Sequence, residues 1–256
     1  MKIISYNVNG IRSAHSKGLY DYLQNQGADI VCFQELKALP EQIEQAPLEN
    51  MGYHCYWFSA QKKGYSGVGI ISKEKPNHVE YGCQHDLFDF EGRVIRLDFN
   101  WGSVISAYFP SGTSGDDRQN IKFDFLNYFF NYIQNLIKEI PNLIICGDYN
   151  ICHQAIDIHD PVSNKNSTGF LPEEREWMTK WFNAGFIDSF RNLNPEPHHY
   201  TWWSFRANAR ANNKGWRIDY VSVSKEIANT LISSGIDPDA KHSDHCPTWA
   251  SLAIDN

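Results

Sequence analysis

Short apolar runs that break off abruptly in polar residues recur along this chain. The sharpest is Leu143-Ile144-Ile145-Cys146, followed at once by Gly147-Asp148-Tyr149-Asn150. Such a run reads as a buried strand whose C-terminal end opens onto something. Asp148 and Asn150 are two apart, so an extended chain points both to one face. Gly147 removes a side chain where a ligand could approach the backbone. A strand closing in an Asx turn would leave the same trace, so the repetition carries the argument. Residues 3–9 end in Asn7-Val8-Asn9, and residues 29–35 run through Ile30-Val31-Cys32-Phe33 into Gln34-Glu35. Residues 103–109 end in Ala107-Tyr108-Phe109. The run at 217–222 carries Asp219, and a polar segment with Asp244 and His245 precedes a final strand at 248–254.

The intervening stretches follow a different period. A helix is expected over about 13–26, with Leu19, Tyr22 and Leu23 on one side and Gly27 as its stop. Pro40 opens a short helix that Gly52 closes. A long helix before Pro141 takes Phe123, Leu126, Phe130, Ile133 and Ile137 as its apolar stripe. Pro172 suits a first helical position with Glu173 and Glu174 behind it, Trp177, Trp181 and Phe182 buried, and Gly185 as the stop. One more helix is expected around Ile227. Residues 53–110 read instead as strands, at 54–59, 67–72, 78–81, 93–100 and 103–109, with Gly64, Asn77, Gly92 and Gly102 among the breaks. No repeat, low-complexity tract or linker interrupts the chain. The polar strand ends run from residue 7 to residue 245, so a single unit over 1–256 is expected, with β-rich halves packed together and helices outside.

Composition narrows the function classes. A chain of 256 residues that is 42% hydrophobic can bury a sizeable core. The formal charge of −7 rules out a bulk positive field for nucleic acid or an anionic membrane. Local contact through Lys and Arg remains open, and carboxylates gathered for a metal would themselves lower the charge. The 6 cysteines include no CxxC pair, and Cys32 and Cys146 sit inside apolar runs as small hydrophobes. The opening Met1-Lys2-Ile3-Ile4-Ser5 turns polar too soon for a signal peptide, and no apolar run reaches membrane-spanning length. A reducing cytoplasm and no membrane partner are therefore expected.

A core has no use for carboxylates at strand ends, since buried charge is unfavourable unless paired or metal-bound. Several such ends together point to a shared cleft, and the residue types suit metal-assisted phosphodiester cleavage. Glu35 offers a hard oxygen ligand for Mg²⁺, with Mn²⁺ as the alternative. Asp148 would take a proton from the attacking water and Asn150 would hold that water. His245 would donate to a phosphate oxygen, oriented by Asp219, and Tyr108 would donate its hydroxyl. Taken singly, a C-terminal His or one Tyr is more often structural. His242 and His245 lack the helix and the Cys pair that a zinc site needs. His198-His199 reads as a solvated loop, and Trp177 with Trp181 as core packing.

With these residues in view, the chain resembles the exonuclease III family of apurinic/apyrimidinic (AP) endonucleases. The resemblance rests on Ile4-Ser5-Tyr6-Asn7-Val8-Asn9-Gly10-Ile11-Arg12, Gln34-Glu35-Leu36-Lys37, Gly64-Tyr65-Ser66-Gly67-Val68-Gly69, Gly147-Asp148-Tyr149-Asn150, Gly215-Trp216-Arg217-Ile218-Asp219-Tyr220 and Ser243-Asp244-His245-Cys246-Pro247. It implies a four-layered α/β sandwich, two β-sheets face to face with helices outside. It implies Mg²⁺-dependent cleavage 5′ to an abasic site in double-stranded DNA, leaving a 3′-hydroxyl, with action on 3′-blocked ends and 3′–5′ exonuclease activity beside it. By position, Glu35 is the metal ligand with Asn7 nearby, and Asp244 lies near the metal. Tyr108, Asn164 and His245 contact the scissile phosphate, and Trp202, Trp216 and Ile218 shape the pocket for a flipped-out abasic sugar. The departures are Asn9 in place of an Asp near the metal, Ser111 and Ser167 in place of Asn, and Arg206 in place of an apolar wedge.

Two other readings compete. One is a phosphoesterase of the wider superfamily acting on lipid or inositol phosphates; the other is a nucleic-acid-binding module whose site has decayed. Against the first stands Trp202-Trp203-Ser204-Phe205-Arg206, followed by Arg210, Lys214 and Arg217, a pairing of aromatic surface with cations that suits a polyanionic strand. Against the second stands the presence of every expected catalytic type. A monomer is expected.

Overall fold

A computed structural model describes residues 1–254. Its strands and helices follow the chain as β1 (Lys2–Asn7), α1 (Ile11–Ser16), α2 (Leu19–Gln26), β2 (Ile30–Gln34), α3 (Ala46–Asn50), β3 (His54–Phe58), β4 (Val68–Ser72) and β5 (His78–Tyr81). Next come α4 (Asp86–Phe90), β6 (Val94–Phe99), β7 (Gly102–Tyr108), α5 (Asp116–Glu139), β8 (Leu143–Asp148) and α6 (Pro172–Asn183). The chain closes with β9 (Phe186–Asp188), α7 (Ser189–Leu193), β10 (Asp219–Ser224), β11 (Leu231–Ile236) and β12 (Thr248–Leu252).

The strands form two six-stranded mixed sheets, ordered β11-β12-β1-β2-β4-β3 and β5-β6-β7-β8-β10-β9. Each sheet holds one parallel pair near its middle, β1 with β2 and β7 with β8. One apolar layer lies between the sheets, with Ile3, Cys32 and Ile70 on one side meeting Leu97, Ile144 and Val221 on the other. A second layer packs α1, α2 and α3 on the outer face of the first sheet through Leu19, Leu23 and Leu48 against Val31 and Phe33. A third packs α5 and α6 on the second sheet through Phe125, Phe129, Met178 and Trp181. This is the four-layered α/β sandwich expected. The middle strands read as unbroken apolar runs because they are covered on both faces. Between the sheets the buried amide of Gln34 donates to the Ser106 hydroxyl at 3.0 Å, which donates to the Phe33 carbonyl at 2.9 Å.

Several elements differ from the sequence reading. The helix expected over 13–26 is two helices, because Gly18 turns left-handed at φ 90 between them. The inward stripe of α5 is Phe125, Leu126, Phe129, Ile133 and Leu136, together with Lys122. Phe123, Phe130 and Ile137 pack only at its margin. Around Ile227 the chain makes a 3-10 helix (Lys225–Thr230). The strands β9 and β11 and the helices α4 and α7 carry no clear signal, being short or half exposed. The run expected at 217–222 becomes strand only at Asp219, since the N–H groups of Arg217 and Ile218 go to the Asp157 carbonyl and the Thr201 hydroxyl and not to a ladder. The Arg217 guanidinium is buried, donating to Asp157 at 2.7 Å and Asp188 at 2.6 Å, so it is not part of a DNA-facing surface. Arg191 completes the cluster, donating to Asp157 at 2.8 Å. Among the described residues no helix is long and apolar enough to cross a membrane.

This ion cluster generates a stability prediction. Removing one partner of a buried pair typically costs about 3–5 kcal/mol, because the other charge is left without an answer. In a chain of this size that corresponds to a fall in Tm of roughly 6–20 °C. Arg217→Met is expected to fall in that range by thermal melting, and a shift under about 2 °C would refute a structural role for the cluster.

Candidate active site

Both parallel pairs point the same way, and their C-terminal ends meet at one edge of the sandwich. The register sets Tyr108 beside Asp148, and Asp148 opposite Asp219. Across the interface β1 lies against β8 and β10, so Asn7 reaches the same place. Glu35 follows β2 directly. Three of these exits bend left-handed on residues other than glycine: Asn9 at φ 45, Glu35 at φ 54 and Asn150 at φ 54. Each such residue stores about 1–2 kcal/mol of backbone strain. Asn tolerates this best, and the side-chain bonds below hold it in place.

Asp148 is the centre. It is 1% exposed. The Asn7 amide donates to it at 2.9 Å and to Glu35 at 2.9 Å, so one side chain spaces two carboxylates. The backbone N–H of Asn150 donates to its other oxygen at 2.9 Å. Imidazole Nε2 of His245 lies 3.8 Å away, while Nδ1 of the same ring sits 2.9 Å from Asp219. Burial raises the Asp148 carboxyl, the neighbouring Asp219 and Glu35 raise it further, and it reaches about 8. Burial opposes charge on His245, but Asp219 and Asp148 outweigh it and lift the imidazolium to about 10. Tyr108 keeps its proton, held by burial and then by the charges of Glu35 and Asp148.

The groups line a cleft of about 480 Å³. Glu35, Asp148, Asp244 and His245 give it polar lining. Trp202, Trp216 and Ile218 give it an apolar wall, with the indoles edge to face at 6.1 Å and 86°. Trp202 and Trp216 also exchange backbone hydrogen bonds, at 2.9 Å in each direction. A larger cleft of about 660 Å³ lies beyond Trp203 and Arg210 and contains none of these groups, so size alone points away from the chemistry.

Not every residue named from the sequence arrives here. Asn164 turns its amide to the carbonyls of His159 and Asp160, at 3.3 and 2.9 Å, and Ser167 lines the cleft instead. Arg210 is spent on the carbonyls of Ser243, Pro238 and Ala240, at 2.9, 2.8 and 2.7 Å, and packs over Trp203. It fastens a turn and does not face the cleft. Arg206 sits on an exposed loop outside the cleft wall. Asp244 lines the cleft, but its oxygens accept from Asn9 at 2.8 Å and from the Trp202 indole at 3.0 Å. Asn7 turns its oxygen to the N–H of Asn9 at 3.0 Å and offers the carboxylates only donors. Ligand atoms of Glu35, Asp148 and His245 lie within 4.8 Å of one another, and with His245 protonated the two carboxylates are the groups that can hold a metal ion. The fit is electrostatic. Among the described residues, Glu35, Asp148, Asp219 and Asp244 meet only two cations, Lys37 and His245, and a divalent cation relieves the remaining excess.

Two supports escaped the sequence reading. Lys37 reaches Glu35 at 2.7 Å, and its spacing on a turn gives no periodic cue. Lys122 and Glu174 form a buried pair behind Asn150. A cue existed for Lys122, which falls one helical turn before Phe125 and Leu126 on the stripe of α5.

An acid, a buried base and an apolar wall lining one cleft suit hydrolysis of phosphate esters. The comparisons with known proteins agree. The profile of the Endonuclease/Exonuclease/phosphatase family matches residues 4–251, and the chain belongs to that family. It is 42% identical to an exodeoxyribonuclease of Bacillus subtilis (strain 168), over 99% of this chain and 100% of that one. Its fold matches an AP endonuclease from Archaeoglobus fulgidus at a TM-score of 0.90 and 29% identity, covering 99% of this chain and 100% of that one. A 3′ phosphatase from Neisseria, solved with a product DNA hairpin, matches at 0.92 and 28% over 99% and 100%. The chain is thus a phosphodiesterase of the nuclease type.

The charge excess can be measured directly. With its carboxyl raised to about 8, Asp148 is largely protonated at pH 7, and a cation bound beside it lowers that value. Adding Mg²⁺ to metal-free protein at pH 7 is expected to release up to one proton, and Asp148→Asn to abolish the release. Equal release from the variant would place the proton elsewhere.

Proposed function

We propose that this protein is a DNA-repair AP endonuclease that hydrolyses the phosphodiester 5′ to an abasic site and leaves a 3′-hydroxyl. The same site clears 3′-blocked ends and trims 3′ ends as an exonuclease. The carrying observation is the shared lining of one cleft: two crossed indoles and Ile218 give it an apolar wall beside Asp148 and His245, with the Trp202 indole donating to Asp244 at 3.0 Å. A bare deoxyribose meets such a wall by apolar contact, whereas an inositol ring would present hydroxyls to carbon. Flipping a nucleotide out of the duplex takes least energy where no base is paired. Two indoles also leave little room for a base.

Once a cation bound beside it has displaced its own proton, Asp148 would accept the proton of the attacking water, and a base near neutrality suits that task. Asn7 and Asn150 aim its carboxylate. His245, kept protonated by Asp219, donates to a non-bridging phosphate oxygen, and Tyr108 donates its hydroxyl from the same wall. Glu35 would hold Mg²⁺, or Mn²⁺ in its place, and such an ion would supply positive charge to the phosphate. The DNA contact is local, since net charge is −7. The exposed Arg206 and Lys214 lie on the loop that follows the indole wall. One chain carries the whole cleft, which supports a monomer. All 6 cysteines are free, which supports a reducing cytoplasm as the place of action.

Two duplexes test this, one with a single abasic analogue and one intact with a recessed 3′ end, each with Mg²⁺ and with chelator. Incision of the abasic strand only with metal is expected, and inactivity on both duplexes overturns the proposal. Selectivity gives a sharper prediction. Trp202→Ala enlarges the pocket and is expected to lower the ratio of abasic to ordinary-nucleotide cleavage while Tm stays near wild type. A slower enzyme with an unchanged ratio would make Trp202 a structural residue only.

A further inference from the structure

Behind the cleft lies a buried ion pair that touches no substrate. Lys122 is 0% exposed, on the inward stripe of α5, and Glu174 is 0% exposed in the first turn of α6. The ammonium donates to one Glu174 oxygen and, at 2.9 Å, to the backbone carbonyl of Asn150. The other Glu174 oxygen accepts the N–H of Gly169 at 2.6 Å and of Leu171 at 3.0 Å. Gln119 donates to Glu174 at 3.1 Å and accepts the Thr168 hydroxyl at 2.6 Å. Thr168 and Gly169 line the cleft. One pair therefore grips, from the rear, both the turn after β8 and a segment of the cleft wall.

We infer that Lys122, backed by Glu174, is a positioning residue for hydrolysis that acts through Asn150 on Asp148. The inference rests on Asp148 being the base of the proposed function. Asn150 is held left-handed at φ 54 by anchors on both of its sides. Its N–H donates to Asp148 at 2.9 Å, and its carbonyl accepts from Lys122 at 2.9 Å. Once the carbonyl is released, the residue relaxes toward the right-handed backbone that L-residues prefer. The N–H then leaves Asp148, while the side-chain amide stays on the Phe109 carbonyl, to which it donates at 2.9 Å. Asp148 loses the backbone donor that aims one of its oxygens. Packing alone would be met as well by an apolar pair. What an apolar pair cannot supply is a donor for that carbonyl.

The test separates aim from stability. Lys122→Met alone strands Glu174 without a counter-charge and is expected to lower Tm. Lys122→Met combined with Glu174→Gln removes both charges and keeps an acceptor for the Gly169 N–H, so Tm is expected to recover. In that double variant, amide hydrogen exchange across 150–152 is expected to rise while Tm holds. Its kcat is expected to fall about 10²-fold with KM little changed, the size of loss a misplaced group produces. In an Asn150→Gly background the left-handed backbone carries no steric penalty and needs no clamp, so the same pair of changes is expected to lower kcat by less than about threefold. Lys122→Arg keeps a charged donor and is expected to retain slow exchange and most of kcat. Recovery of kcat together with Tm, unchanged exchange at 150–152, or an Arg variant as impaired as the double variant would each overturn the inference. A wild-type protein inactive on abasic DNA would defeat the functional reading alone, and the exchange measurement would still decide this one.

Discussion

Everything at this site follows from one electrostatic constraint. Asp148 is 1% exposed, with Glu35 and Asp219 among the charges that raise its carboxyl. Carboxylates so placed persist only where donors and positive charge answer them. Asn7, Asn150 and His245 do so, and they come from the end of β1, the turn after β8 and the loop before β12. No local segment could supply all three. The two sheets must face each other with both parallel pairs ending at one edge, and the fold meets that requirement. Charge still exceeds what the protein's own groups balance, which is why the site suits a cation and a phosphate ester.

Around that centre the protein uses buried ionic contacts as fixtures. Arg217 joins Asp157 and Asp188 beneath the indole wall, and Arg210 fastens the carbonyls of residues 238–243. Lys122 and Glu174 hold the turn at Asn150. Each contact fixes a loop that carries chemistry but has no regular secondary structure of its own. A cleft built from loops keeps its geometry only when their backbone carbonyls and N–H groups have partners.

Much of this was legible in the sequence for a physical reason. Strands covered on both faces are mostly unbroken apolar runs, so β1, β2 and β8 announce themselves, and the residues that end them stand out. Asn7, Glu35, Tyr108, Asp148, Asp219 and His245 all meet at one edge. Arginines and amides were less legible. Arg210, Arg217 and Asn164 looked available for DNA, but whether such a side chain faces solvent or caps a carbonyl depends on loops that no periodicity describes. Half-exposed edge elements such as β9 and β11 left no apolar run to read. Lys122 was readable in principle, a cation on an apolar stripe, but its partner lies 52 residues away.

The most direct test of the account is the turnover of Asp148→Asn on abasic duplex, with binding of that duplex measured alongside. The substitution keeps the shape of the side chain and removes the base. General-base catalysis typically contributes about 10²–10⁴-fold, so kcat is expected to fall at least that far while affinity for abasic DNA is retained. A fall of less than about tenfold, well below that range, would contradict Asp148 as the group that takes the proton.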